Sequence, residues 1–464
     1  MYEFFTVREL YDIILSGPEM QKDSIEYVEL EGWVRTNRNN GSLGFIEVND
    51  GSYFKNVQVV YFNNIDDYEL ASSLKTGDAI NVIGVLKITE NQKQPFEIQA
   101  KKISVLAKCA EDYPLQKKRH SFEFLREIAH LRPKANTFAA VFRVRSVLSM
   151  AIHEFFQNQG FVYVHTPIIT SNDCEGAGET FTVTTRKDGE YEKDFFNRHV
   201  SLTVSGQLHA EAFAQAFRDV YTFGPTFRAE NSNTVRHAAE FWMIEPEIAF
   251  ADLEDDMMLI EDMIKYCINY VLENCPEEME FFNNMIDKDL LNRLKHVLNS
   301  EFAKMTYTDA VEYLKKAQEK GVVFENKDIF WGMDFNSEHE KYLCEKIVNG
   351  PLFLIDFPKE LKSFYMKQNP DGKTVAACDL LVPHIGELVG GSQREENYEV
   401  LKNRMKELHM SEKGLEWYLD LRRFGGVKTA GFGLGFERMV MYLTGISNIR
   451  DVLPFPRTVK NCLF

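Results

Sequence analysis

Arg228, Glu230, Arg236 and His237 sit inside an apolar, strand-like stretch that opens at Phe227 and runs on through Glu240-Phe241-Trp242-Met243-Ile244-Glu245. A strand packed on both faces cannot hold that much charge, because each unpaired buried ion costs several kcal/mol. One face of the strand is therefore expected to meet a charged ligand. Far along the chain, Gly431-Phe432-Gly433-Leu434-Gly435-Phe436-Glu437-Arg438 again sets an arginine beside glycines.

A length of 464 residues gives room for two or three domains with sizeable cores. No apolar run is long enough to span a membrane, and the N-terminus lacks a basic flank and a cleavage site, so a cytoplasmic protein is expected. The cysteines are scattered, with no Cys-x-x-Cys pair. That argues against structural zinc and disulfides and suits a reducing compartment. A net charge of −17 argues against non-specific nucleic-acid binding. The local run Lys101-Lys102, Lys108 and Lys117-Lys118-Arg119-His120 fits either a specific RNA surface or a solvated linker.

Residues 1–108 contain β-rich runs at Ile25–Val34, Gly44–Val48, Val57–Phe62, Ala79–Ile88 and Phe96–Val105, separated by turn signals such as Asn39-Asn40-Gly41. This spacing suits an OB barrel or another small barrel. Residues 109–135 read as a polar, basic connector. Val141, Val144, Leu148, Ile152, Phe155 and Phe156 recur at helical spacing, and a short strand follows and ends at Pro167. Residues 252–345 are helix-rich and acidic and read as an inserted helical subdomain. Strands return from Pro351. Without regular βαβ alternation, residues 136–464 predict an α+β domain on an antiparallel sheet.

In this order the segments resemble the class II aminoacyl-tRNA synthetases. Phe227–Glu245 resembles their motif 2, Gly431–Arg438 their motif 3, and Ala139–Pro167 their motif 1. The pattern Glu387, Gly390, Gly391, Ser392, Arg394 resembles the subgroup that handles aspartate, asparagine and lysine. The resemblance implies an antiparallel-sheet catalytic domain behind an N-terminal all-β OB-fold barrel, a homodimer through motif 1, and ATP and Mg²⁺ as cofactors.

The chemistry agrees with the residues. An amino acid's α-carboxylate is ionised at neutral pH, with a pKa of roughly 3.5, and attacks ATP without a general base. The protein must supply in-line positioning and cancel phosphate charge. By resemblance, Arg228 is a catalytic residue on the α-phosphate and Glu230 reads the adenine edge. Arg236 and His237 lie near the phosphates, Phe241 in the ATP site, and the second catalytic residue, Arg438, on the γ-phosphate. Gly433 and Gly435 admit adenine close to the backbone. Asp379 and Glu387 bracket a turn that suits a hard cation shared with phosphates. The blander alternatives are a same-strand ion pair for Arg228 and Glu230, and a close-packed helix start for the glycines.

Within the subgroup, Arg394 matches the residue that reads the amino acid's side chain. Aspartate-specific members carry a lysine where this chain has Ala210, in Ser205-Gly206-Gln207-Leu208-His209-Ala210, and an aspartate where it has Glu245. A pocket without that cation should take neutral asparagine. Burying aspartate there costs roughly 3–5 kcal/mol, or about two to three and a half decades of affinity. The alternative is an aspartate-specific member of relaxed specificity. The motif 2 tail also resembles asparagine-specific bacterial members, which implies L-asparagine and tRNA(Asn) as partners. Glu175, in a glycine-containing loop, would receive the ammonium with Gln207 and Glu245, and Ser205 would line the same pocket. In the barrel, Phe45 and Gln58 match the family's anticodon contacts, with Arg35 or Arg38 placed to reach phosphate.

Overall fold

The computed structural model describes residues 3–16, 27–89, 94–172 and 179–464. Two compact units divide the chain, residues 1–139 and residues 140–464. The connector residues 109–135 belong to the first.

The first unit comprises β1 (Glu3–Phe4), α1 (Val7–Ser16), β2 (Tyr27–Asn39), β3 (Leu43–Asn49), β4 (Val57–Phe62), α2 (Tyr68–Ser73), β5 (Ala79–Ile88), β6 (Phe96–Ala107) and the short α3 (Phe122–Glu127). Strand order is β1-β2-β3-β4-β6-β5, and β5 pairs back with β2, so the barrel closes and leaves few open edges. Along β3, Ile46 and Val48 are buried while Phe45 and Glu47 lie on the outer face, the alternation of a half-buried strand. Val28, Leu30, Val48, Val59, Ile80 and Ile98 form the core, with Val7, Leu10, Tyr11 and Ile14 of α1 packed into it. The turn-separated β-rich runs of residues 1–108 predict only strands here. α1 is nevertheless encoded by that apolar stripe and by a capping box, in which Thr6 N donates to Glu9 Oε2 at 2.7 Å and Glu9 N to Thr6 Oγ1 at 3.2 Å.

In the second unit, α4 (Asn136–Asn158, whose first turn lies in unit one) leads to β7 (Val162–Tyr163), β8 (Ile169–Thr170), β9 (Thr182–Val183) and β10 (Val200–Leu202). Next come α5 (Gln207–Phe217), β11 (Asp219–Phe227), β12 (Glu240–Ala249), α6 (Leu253–Asn274), α7 (Pro276–Met285), α8 (Leu290–Asn299) and β13 (Ala303–Thr306). The chain continues through α9 (Tyr307–Glu319), α10 (Ser337–Lys341), β14 (Leu352–Pro358), β15 (Thr374–Val382) and β16 (Gly386–Gln393). It closes with α11 (Tyr398–Glu407), α12 (Glu416–Arg423), β17 (Thr429–Gly435) and α13 (Phe436–Thr444).

An eight-stranded sheet, ordered β13-β14-β15-β16-β17-β12-β11-β7, forms the frame. Its interior pairs are antiparallel, and only the edge pairs β13–β14 and β7–β11 are parallel. Residues 252–345 are not a purely helical insertion. They contribute the edge strand β13, and α6 packs on β15, β16 and β17 through an apolar stripe that includes Met257, Ile260 and Ile264. On the opposite face α5 packs on β11 and β12 and α9 on β14. The central strands between those helices carry the site.

Candidate active site

Alternation along β12 places Phe241, Met243, Glu245 and Glu247 on one face of the sheet. In the neighbouring register, Gly435 lies opposite Met243 and Gly431 opposite Glu247. Added side chains would collide here. A methyl on Gly433 would sit 2.8 Å from Met243 Cε, and one on Gly431 would sit 2.3 Å from the Pro246 carbonyl oxygen and 2.6 Å from Glu247. The glycines of β17 thus keep the strand face open.

All nine residues that the resemblance assigns to ATP line a single cleft of about 220 Å³: Arg228, Glu230, Arg236, His237, Phe241, Glu387, Gly433, Gly435 and Arg438. The Arg228 guanidinium lies 5.5 Å from the centre of the Phe241 ring. Arg438 Nη1 donates to Glu387 Oε2 at 3.1 Å. Arg236 donates to the Ile385 carbonyl and approaches Glu340 Oε2 at 3.9 Å. Burial and the charge of Arg438 hold the His237 imidazole below its usual range, which favours its neutral form. The loop carrying these groups is tied down by Arg450, which donates to the Thr234 carbonyl at 3.1 Å and to Asn233 Oδ1 at 2.7 Å.

Glu387 reaches this face because β16 is irregular. The register of β15 and β16 shifts between Leu380 and Leu381 and skips Leu388. Plain alternation would have put Glu387 with Val389 and Gly391 on the α6 side; the bulge re-aims it. Gly386 precedes it with φ +84°, and a methyl there would lie 2.4 Å from Glu340 Oε2. Burial pushes the Glu340 carboxyl up to about 7, with the Glu387 charge adding to it. Asp379 accepts from Lys362 Nζ at 2.8 and 2.7 Å through its two oxygens. Burial raises its carboxyl against the pull of Lys362.

Further along β12 the site becomes a buried polar cluster. Ser205 Oγ donates to Glu245, and Gly206 N donates to Glu245 Oε2 at 2.9 Å. Arg394 Nε and Nη2 bond Glu247 at 3.1 and 2.5 Å, and Nη1 bonds Ser392 Oγ at 2.6 Å. This uses three of the five N–H donors of a guanidinium. Burial raises the Glu247 carboxyl against the opposing pull of Arg394. Gln207 Nε2 donates to Glu211 Oε1 at 3.0 Å. Ala210 is fully buried and packs with Val164, Ala214 and Val220 in a wall without charge. Ser205, Gln207, Glu245 and Arg394 therefore gather as the resemblance implies, beside the cleft rather than lining it. Glu175 lies outside the described residues.

Glu211, Glu247, Lys362, Glu340, Tyr418, Arg422 and Arg450 escaped the sequence reading. Asp256 did too. It is buried under Gly391, where a methyl would sit 2.6 Å from its Oδ2, and neither oxygen has a hydrogen-bond partner among the described residues. Burial holds its carboxyl well above the usual range.

In the first unit, Phe45 and Gln58 line a cleft of about 410 Å³ with Arg38, Asn39 and Asn40. Arg35 does not line it. The register of β2 and β3 shifts between Val34 and Thr36. At that bulge Arg35 turns to donate to the Lys134 carbonyl at 2.5 Å and Asn136 Oδ1 at 2.8 Å. Arg38 is the arginine at the cleft.

The family profile described as tRNA synthetases class II (D, K and N) matches residues 122–459, and that of the OB-fold nucleic acid binding domain matches residues 28–106. An asparagine–tRNA ligase from Clostridium beijerinckii is 61% identical over 441 residues, covering 93% of this chain and 94% of that protein. One from Acetivibrio thermocellus is 58% identical over 460 residues, covering 96% and 98%. The crystal structure of asparaginyl-tRNA synthetase from Pyrococcus horikoshii complexed with asparaginyl-adenylate matches with a TM-score of 0.85 at 33% identity, covering 99% of both chains. With the charged strand, the glycines and the barrel all accounted for, the chain belongs to the class II tRNA synthetases of the aspartate, lysine and asparagine group.

Proposed function

We propose that the chain is an asparagine–tRNA ligase. It activates L-asparagine with ATP to asparaginyl-adenylate and pyrophosphate, then passes asparagine to the 3′-terminal ribose of tRNA(Asn). The observation that carries this reading is the single face of β12. Phe241 and Met243 border the cleft on it, and Glu245 and Glu247 hold the buried cluster that adjoins it. Nucleotide and amino acid would thus lie end to end, their reacting groups meeting near Arg228.

Arg228 would clamp the α-phosphate and the substrate carboxylate, bringing nucleophile and phosphorus together and offsetting their repulsion. Arg438 and Arg236 would hold the outer phosphates, and Glu230 the adenine edge. A methyl on Gly390 would meet Asp379 Oδ1 at 3.4 Å and Glu387 Oε1 at 3.6 Å. Two carboxylates converging over a bare backbone fit Mg²⁺ held jointly with phosphate oxygens. When bound, the ion supplies charge neutralisation on the phosphates.

Asparagine would lie against Gln207, Glu245 and Arg394, with Glu175 receiving its ammonium. The uncharged wall at Ala210 and the carboxylates nearby favour an amide over a second anion. The barrel cleft at Arg38, Phe45 and Gln58 suits a stacked, hydrogen-bonded anticodon base. A homodimer through motif 1 is supported by Met150 of α4, 59% exposed, and by β7 at the open edge of the sheet. No helix among the described residues is long and apolar enough to cross a membrane, and a cytoplasmic location fits the free thiols.

Charging of a tRNA(Asn) transcript with labelled asparagine tests the whole reading. The expected result is ATP-dependent label on the transcript with asparagine and little with aspartate. Equal labelling by aspartate, or none by either, would contradict it.

A further inference from the structure

The NH₂ end of Gln207 faces a carboxylate that nothing in the proposed chemistry consumes. Gln207 opens α5 and Glu211 stands one turn on, both side chains buried. Gln207 Nε2 donates to Glu211 Oε1 at 3.0 Å. The same oxygen accepts from the Tyr418 hydroxyl at 2.7 Å, and Oε2 accepts from Arg422 Nη2 at 2.8 Å. Arg422 in turn donates to the Tyr418 hydroxyl at 2.9 Å and to the Glu395 carbonyl at 2.9 Å. Three donors from two helices therefore surround Glu211, and the buried guanidinium supplies its countercharge.

We infer that Glu211, braced by Arg422 and Tyr418, is a positioning residue that fixes which end of the Gln207 amide meets the substrate's α-ammonium. An amide has one donor end and one acceptor end, and turning it over exchanges them. An ammonium only donates, so a Gln207 that offered its NH₂ would repel it. An ionised carboxylate only accepts. By taking the NH₂, Glu211 directs the Gln207 carbonyl oxygen away from itself, where an ammonium can bond it. The arrangement selects a free amino group and is indifferent to the rest of the amino acid.

The inference rests on the proposed amino-acid site, and its test separates the two. ATP–pyrophosphate exchange is measured with asparagine as substrate and with succinamic acid, which is asparagine without its amino group, as competing inhibitor. In Glu211→Gln the KM for asparagine should rise about tenfold or more, the worth of one charge-assisted bond, while the inhibition constant of succinamic acid stays unchanged. Should that variant not fold, Glu211→Asp keeps the anion opposite Arg422 but withdraws it from Gln207, and the same selective loss is expected. Equal weakening of both ligands would reduce Glu211 to a structural part, and no weakening of either would remove its role; both outcomes overturn the inference. If Gln207→Ala leaves the KM for asparagine unchanged, the reading of the amino-acid site itself has failed.

Discussion

Arg394 clasps Glu247 through two parallel bonds, Nε to Oε2 at 3.1 Å and Nη2 to Oε1 at 2.5 Å, with both side chains buried. The pair fixes the guanidinium plane and leaves part of its donor set for a substrate side chain. Glu247→Gln should cost about 3–5 kcal/mol of stability, because a buried cation loses its countercharge. It should also shift the kcat/KM ratio toward aspartate, which brings the missing charge with it. Thermal unfolding and exchange assays with both amino acids check the two effects. A stable variant with unchanged selectivity would remove Glu247 from the specificity argument.

The glycines of β17 should separate folding from function. Gly431→Ala drives a methyl onto the Pro246 carbonyl and Glu247, neither of which can yield cheaply. Overpacking of that kind costs about 1–3 kcal/mol, and a lower melting temperature should show it. In Gly433→Ala the obstacle is the flexible end of Met243, which also lines the cleft. That variant should melt normally and show a raised KM for ATP.

Asp379 and Glu387 should share responsibility for magnesium. In Glu387→Gln and Asp379→Asn, the magnesium concentration for half-maximal exchange should rise more than about tenfold, equivalent to about 1.4 kcal/mol. Chelation should abolish exchange in the unaltered protein. A magnesium titration unmoved by either substitution would place the ion elsewhere.

The barrel should affect only the second half-reaction. Phe45→Ala should weaken tRNA binding by about 1–3 kcal/mol, the worth of one stacked base, while exchange stays intact. Gln58→Ala should likewise impair charging and leave exchange untouched. Arg35→Ala should do neither, since that guanidinium is spent on Lys134 and Asn136.

What was legible in the chain follows from how locally each feature is encoded. The five barrel strands and the charged strand announce themselves by alternation and turn residues within a few positions. The cleft was legible because glycines and arginines in short runs mark it. α1 was written as plainly, in Thr6, Glu9 and the Val7–Leu10–Tyr11–Ile14 stripe, and was overlooked amid strands. β13 was not legible. Ala303–Thr306 is four residues between helices, and only pairing with β14 makes it a strand. Glu211, Tyr418 and Arg422 were also out of reach, since tertiary packing alone turns ordinary helix residues into one cluster. The two bulges misled or helped according to side: that at Arg35 turned a basic residue away from the cleft, and that at Leu388 turned Glu387 toward it.

ATP–pyrophosphate exchange with asparagine and aspartate side by side, in the unaltered protein and in Arg228→Ala, asks at once which amino acid the site activates and whether Arg228 is needed for it. Exchange should be rapid with asparagine, lower by about two decades or more with aspartate, and absent in Arg228→Ala. Comparable exchange with aspartate, or normal exchange in Arg228→Ala, would contradict it.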